Sequence, residues 1–164
     1  MAKTDLTAAR LRELLSYDPE TGDLRRLVPA GGQRIGDVAG SVTRRGYRLV
    51  NISGHRVMAH RLAWLYMTGA HPTGVIDHKD GDSLNNRFDN LRDVTQSVNL
   101  QNQRKARSIS TSGVLGVHLG RRGLWMSEIS FDGKRIRLGA FKTIEDAQAA
   151  YLIAKRQYHI GCTI

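Results

Sequence analysis

Between residues 77 and 99 the chain spaces an aspartate, a histidine and two asparagines in an order that suits hydrolysis of a phosphate ester. The run is Asp77-His78-Lys79-Asp80-Gly81-Asp82-Ser83-Leu84-Asn85-Asn86-Arg87-Phe88-Asp89-Asn90-Leu91, with Asn99 further on. Such a reaction needs a base to activate water and a cation to offset charge on the phosphate and on the leaving 3′ oxygen. His78 suits the first task, because an imidazole with its ordinary pKa of about 6.5 is mostly neutral just above pH 7. Asp77 and Asn99 suit the second, since their oxygens are donors for a hard ion such as Mg²⁺ or Mn²⁺. Asn90 is placed to hold the loop and orient the base.

These residues need a strand, a loop, a second strand and a helix to carry them. Residues 75–77 read as a short strand, 79–90 as a polar loop, and 91–94 as a returning strand. Thr95 is a candidate cap for a helix through about residue 102. Adjacent side chains on a regular strand point to opposite faces, so Asp77 and His78 can share a site only where the strand ends or bulges. Upstream, residues 59–67 favour a helix that stops at Gly69, with His60 four residues before Trp64, where a histidine beside an aromatic serves packing. Residues 45–52 and 55–58 read as a hairpin, and 31–46 as short strands and turns. A short opening helix over 6–15 has Thr4 or Asp5 as its cap, and Tyr17-Asp18-Pro19-Glu20-Thr21-Gly22 breaks it.

The run Asp77-His78-x-Asp80-Gly81, with Asn85-Asn86, Asp89-Asn90-Leu91 and Asn99, resembles the HNH homing endonucleases carried by phages and mobile introns. His60-Arg61-Leu62-Ala63 resembles the helix that precedes the motif in those proteins. The resemblance covers residues 45–103 and implies a ββα-metal core acting on double-stranded DNA. It assigns Asp77 and Asn99 to one divalent cation, His78 to the general base and Asn90 to bracing it. A plain surface loop would also use Asp, Asn and Gly for its turns, but turn chemistry requires neither the Asp77-His78 pair nor the spaced Asn99. An EF-hand reading of Asp80-Gly81-Asp82 fails, for want of the alternating ligands and terminal glutamate.

After a polar, basic stretch at 103–112, in which Arg104 and Lys105 are candidate DNA contacts, the pattern changes to strands over 114–118, 124–131 and 135–141. Thr143 opens a helix striped with Ile144, Ala147, Ala150, Tyr151 and Ala154. Alternation puts Trp125, Ser127, Ile129 and Phe131 on one face, and burying that face against the helix leaves Arg135 and Arg137 outward with Arg121 and Arg122 nearby. A sheet with a basic open face can lie against DNA. Gly116-Val117, Trp125-Met126-Ser127-Glu128-Ile129, Arg135-Ile136-Arg137-Leu138-Gly139-Ala140-Phe141 and the following helix resemble an AP2 DNA-binding domain over residues 113–158. That resemblance implies groove contacts from His118, Arg122, Glu128, Arg135 and Arg137. It departs from the plant-type pattern in its few first-strand arginines and in Arg137, where an aromatic is common, so no target sequence carries over.

The chain has 164 residues and a formal net charge of +10, with 40% hydrophobic and 24% charged residues. That composition folds, and the charge attracts polyanions. The single cysteine, Cys162, excludes an internal disulfide framework and a CxxC zinc site, which suits a reducing compartment. Neither a signal-peptide run nor about eighteen consecutive apolar residues occur, so the expected location is cytoplasmic, with no membrane partner. The expected fold class is α+β. It comprises a β-rich region at 1–57, a ββα-metal core at 58–104, a basic linker at 105–112 and an AP2-like module at 113–164. The expected function is a metal-dependent DNA endonuclease that nicks as a monomer, with dimerisation open. The rival is a non-catalytic AP2-like DNA-binding regulator on an inactive HNH scaffold. An RNA-directed protein would call for an RNP-type aromatic run, which is missing.

Overall fold

The computed structural model describes residues 6–106 and 109–163. The chain divides into two compact units between Thr95 and Gln96.

The first unit opens with α1 (Ala8–Leu14), whose cap is Thr7: its hydroxyl accepts from the Arg10 N–H at 3.1 Å. Thr4 and Asp5, the candidate caps, lie outside the described residues. The helix passes directly into β1 (Leu15–Tyr17), which pairs antiparallel with β2 (Leu24–Arg26). The expected break at 17–22 takes in the last residue of β1 and the turn of this hairpin, which alternation over such short strands does not reveal. Three strands then form one antiparallel sheet in chain order: β3 (Ser41–Val42), β4 (Arg48–Ile52) and β5 (His55–Met58). Ser53 and Gly54 join the last two with φ of 49° and 78°, the paired positive values of a tight hairpin turn.

From β5 the chain enters α2 (Ala59–Thr68), which Gly69 ends at φ 77° while its N–H bonds the Leu65 carbonyl. β6 (Val75–His78) and β7 (Leu91–Val94) pair antiparallel, and a 3₁₀ turn at Phe88–Asn90 leads into β7. The core is one cluster running from Leu6 to Leu91, so α1, the hairpins and α2 fold around the strands that carry Asp77 and His78. Leu11, Leu15 and Leu62 are almost wholly buried in it; truncating such a leucine to alanine costs about 2–5 kcal/mol.

The second unit begins with α3 (Gln96–Gln101), which carries Asn99. β8 (Val117–Leu119), β9 (Trp125–Phe131) and β10 (Lys134–Phe141) form an antiparallel sheet with β9 in the middle. α4 (Ile144–Tyr158) starts at Thr143, whose hydroxyl accepts from the Asp146 N–H at 3.2 Å. Ile129, Tyr151 and Ala154 centre its core, with Leu115, Ile136 and Leu138 against them. Gly116 lets Tyr151 in: a Cβ there would lie 2.0 Å from the tyrosine ring. Residues 155–163 are tied back to the end of α3 and the two residues after it. The Gly161 N–H donates to Gln101 Oε1 at 3.0 Å, the Thr163 hydroxyl to Asn102 Oδ1 at 2.6 Å, and the buried Lys155 ammonium to the Gln103 carbonyl. The division at Thr95 thus falls ahead of the stretch expected as a linker at 105–112. Among the described residues no helix is long and apolar enough to cross a membrane.

Candidate active site and nucleic-acid face

β6 and β7 pair in unbroken register, Asp77 opposite Arg92 and His78 opposite Leu91. The strand does not bulge at the Asp77-His78 step but ends there, the position that lets neighbouring side chains serve one site, and each of the two has its own partners. Asp77, 6% exposed, takes the guanidinium of Arg92: Nε and Nη2 lie 2.8 and 2.6 Å from Oδ2. A buried carboxylate is costly unless paired, and Arg92 supplies the pairing from the facing strand.

His78, at the last position of β6 and equally buried, has Nε2 3.2 Å from Asn86 Oδ1. The Asn86 amide is itself oriented, because its Nδ2 donates to the Leu84 carbonyl at 3.1 Å and its oxygen therefore faces the ring. The neutral imidazole then carries its proton on Nε2 and its lone pair on Nδ1.

The loop that delivers Asn86 is bound at several points. Tyr17, buried, donates its hydroxyl to the Asn86 carbonyl at 2.7 Å, and burial above all pushes its pKa up to about 12. Gly22, at φ 77°, packs so closely on the Asn86–Arg87 backbone that a Cβ would come within 2.5 Å of it. Ser83 donates to the Gly46 carbonyl at 2.9 Å. Asn90 works inside the loop: its Nδ2 donates to Asp80 Oδ1 and to the Asn85 carbonyl, both at 2.9 Å, and its Oδ1 accepts from the Asp80 N–H at 3.1 Å. Burial alone would raise the Asp80 carboxyl, but hydrogen bonds from the Asp82 N–H, Asn90 and Asn85 hold it below the usual range. Asp80 is thereby a hub of the turn.

Sequence reasoning named Asn90 as the brace of the base and passed over Asn86, the side chain that meets His78. The Asn85-Asn86 pair was visible, but which asparagine reaches the histidine depends on the loop's path. His60 was read as packing beside Trp64. Instead the Trp64 ring meets Phe88, while His60 stands against His78 and Tyr47, with ring centroids at 5.2 and 5.8 Å.

Among the described residues no three His, Cys, Asp or Glu side chains gather as a metal cluster. The expected site asks for less: one carboxylate, one amide oxygen, water and phosphate. Asp77 offers the oxygen donor that a hard cation takes, so the donor chemistry fits Mg²⁺ or Mn²⁺. Asn99 lies on α3, half-buried, in the second unit.

In that unit the pairing registers put His118 opposite Met126, Glu128 opposite Arg137 and Ser130 opposite Arg135, all on the sheet face turned from α4. Arg135 is 75% exposed and lies 3.7 Å from the Glu128 carboxylate, while Arg137 touches the Met126 sulfur. Arg121 and Arg122 stand exposed in the short 3₁₀ turn before β9, Arg122 at φ 65°. Arg104 and Lys105 are exposed as well, Arg104 bonding Thr163.

Residues 57–101 match the HNH endonuclease family. Over 72 residues the chain is 35% identical to DNA endonuclease I-HmuI of Bacillus phage SP01, a match covering 41% of each protein. Over 78 residues it is 35% identical to Protein 3.8 of Escherichia phage T7, covering 46% of this chain and 64% of that one. The chain thus matches less than two thirds of either relative's length. No solved structure matches it significantly.

Proposed function

We propose that the chain is a divalent-metal-dependent DNA endonuclease in which His78 is the general base and Asp77 and Asn99 are oxygen donors to a single Mg²⁺ or Mn²⁺. The observation that carries this reading is the oriented Asn86 amide on His78 Nε2, which leaves the lone pair on Nδ1, where a base needs it. Nδ1 takes the proton as water attacks phosphorus, and the imidazolium that forms keeps its Nε2–H on the Asn86 oxygen, which partly offsets the new charge. A bound cation supplies charge neutralisation at the phosphate and at the leaving 3′ oxygen. The residues matched to the HNH family and the phage endonuclease relative support the same chemistry. Asn90 acts at one remove, by holding the loop that carries Asn86.

The face formed by His118, Arg121, Arg122, Glu128, Arg135 and Arg137 is proposed to bind DNA in the manner of an AP2-like sheet, with Arg104 and Lys105 adding phosphate contacts. One active site cuts one strand per engagement, so the monomer nicks. The Arg92 guanidinium on Asp77 Oδ2 is the observation that favours the rival, a DNA-binding regulator on an inactive scaffold. A nicking assay on native genomic DNA separates them. Mg²⁺ or Mn²⁺ should support cleavage, EDTA should stop it, and His78→Ala should abolish it while leaving DNA affinity nearly unchanged. Full activity in excess chelator would sink the metal mechanism, and binding without any cleavage would leave the regulator.

A further inference from the structure

We infer that His60, backed by Tyr47, is a positioning residue that fixes the plane of the His78 imidazole, an inference that rests on His78 being the general base proposed above. The hydrogen bond at Nε2 holds one atom of the ring, and a tilt of the plane about that atom would carry Nδ1 off its target. The rings packed against the imidazole oppose that tilt. His60 meets His78 edge to face, with centroids 5.2 Å apart and planes at 85°. Tyr47 flanks both, 6.3 Å from His78 at 55° and 5.8 Å from His60 at 72°. These tilted and perpendicular contacts are the arrangement aromatic quadrupoles prefer.

The three restraints come from separate elements, so they do not move together by default. His60 is the second residue of α2, straight after β5; Tyr47 precedes β4; Asn86 comes from the loop between β6 and β7. His60 also remains a neutral wall. Burial first, then the charges of His78 and Arg61, push its pKa down to about 3, so at neutral pH it does not oppose the positive charge that His78 acquires.

The test uses the full chain and follows two readouts: steady-state nicking with Mg²⁺, and ¹⁵N NMR of the His78 ring, which reports its tautomer without any turnover. His60→Ala should lower kcat by roughly 10- to 100-fold, the scale of a catalytic group misplaced by about an ångström, with KM within about twofold. It should also replace the single Nε2–H tautomer by an averaged signal. His60→Phe restores a ring edge and should recover kcat to within about threefold of wild type, with the wild-type tautomer. Where His60→Ala lowers the folded population, His60→Leu keeps the buried volume without the planar edge and should show the same loss as alanine. Wild-type kcat and tautomer in His60→Leu would overturn the inference, as would a His60→Phe variant as impaired as the leucine one. If the wild-type chain cleaves nothing, the nuclease reading fails by itself, and the tautomer comparison still decides whether His60 orients His78.

Discussion

Arg92 and Asp77 face each other across the β6–β7 hairpin, with two guanidinium nitrogens within 2.8 Å of a single carboxylate oxygen. Removing the arginine takes this ion pair from a carboxylate that is 6% exposed, so Arg92→Ala should cost about 3 kcal/mol in denaturant unfolding. Asp77→Asn, which leaves no charge behind on that residue, should cost less. If Asp77 also ligates the cation, Mg²⁺ replaces the missing positive charge. The rise in Tm on adding Mg²⁺ should then be larger in Arg92→Ala than in wild type. Equal shifts in the two proteins would take Asp77 out of the metal site.

Asn86 and Asn90 should fail in different ways when replaced. Asn90→Ala removes three hydrogen bonds from the loop, at roughly 1 kcal/mol each, and should be read mainly as lost stability. Asn86→Ala removes the acceptor from His78 Nε2 and should lower kcat by about 100-fold at conditions where both variants stay folded. A catalytic loss confined to Asn90→Ala would restore Asn90 as the direct brace of the base.

What the sequence showed, and what it hid, follows from the range of the interactions. The strands at Val75–His78 and Leu91–Val94, the Ala59–Thr68 helix with its Gly69 stop and the Thr143 cap depend on local pattern, and all were legible. The β1–β2 hairpin was not, because strands of three residues give too little alternation to distinguish from a broken helix end. The partners of His78 were hidden for a different reason. Tyr47, His60 and Asn86 are far apart in the chain, and only the fold sets their rings and amide around one imidazole. Helical spacing put Trp64 beside His60, yet the actual neighbours come from outside the helix.

The depressed pKa of His60 makes a stability prediction with a definite sign. Its folded value of about 3 lies below the ordinary 6.5, so between those values the unfolded chain binds the extra proton. This residue's contribution is therefore fully present above about pH 6.5 and is lost as pH falls toward 3, with a slope of at most ~1.4 kcal/mol per pH unit. His60→Phe cannot take up that proton. Carboxylates destabilise both proteins in acid, but the advantage of the phenylalanine variant over wild type should grow steadily from pH 7 to about pH 4.5 in urea denaturation. A difference that stays flat across that range would mean that His60 is not held neutral by burial.

The basic face of the second unit is best tested by substitution rather than by truncation. A chain ending before β8 would strip α3 of its bonds from Gly161 and Thr163 and remove the Lys155 contact to Gln103, so lost cleavage could reflect a disturbed Asn99 helix instead of lost DNA contact. Arg135→Gln with Arg137→Gln avoids this, since both side chains are exposed on the side of the sheet away from α4. The ion pair lost with Glu128 is long and largely solvated, so stability should change by less than about 1 kcal/mol. If both arginines neutralise phosphates, the slope of log affinity against log salt should fall by roughly two, because each contact releases about 0.9 of a counterion. Nicking should continue at a lower apparent affinity and with broader site choice, read by end mapping of cleaved genomic DNA. An unchanged salt slope together with unchanged cleavage positions would mean that this sheet face does not touch DNA, and that the address is read by the first unit.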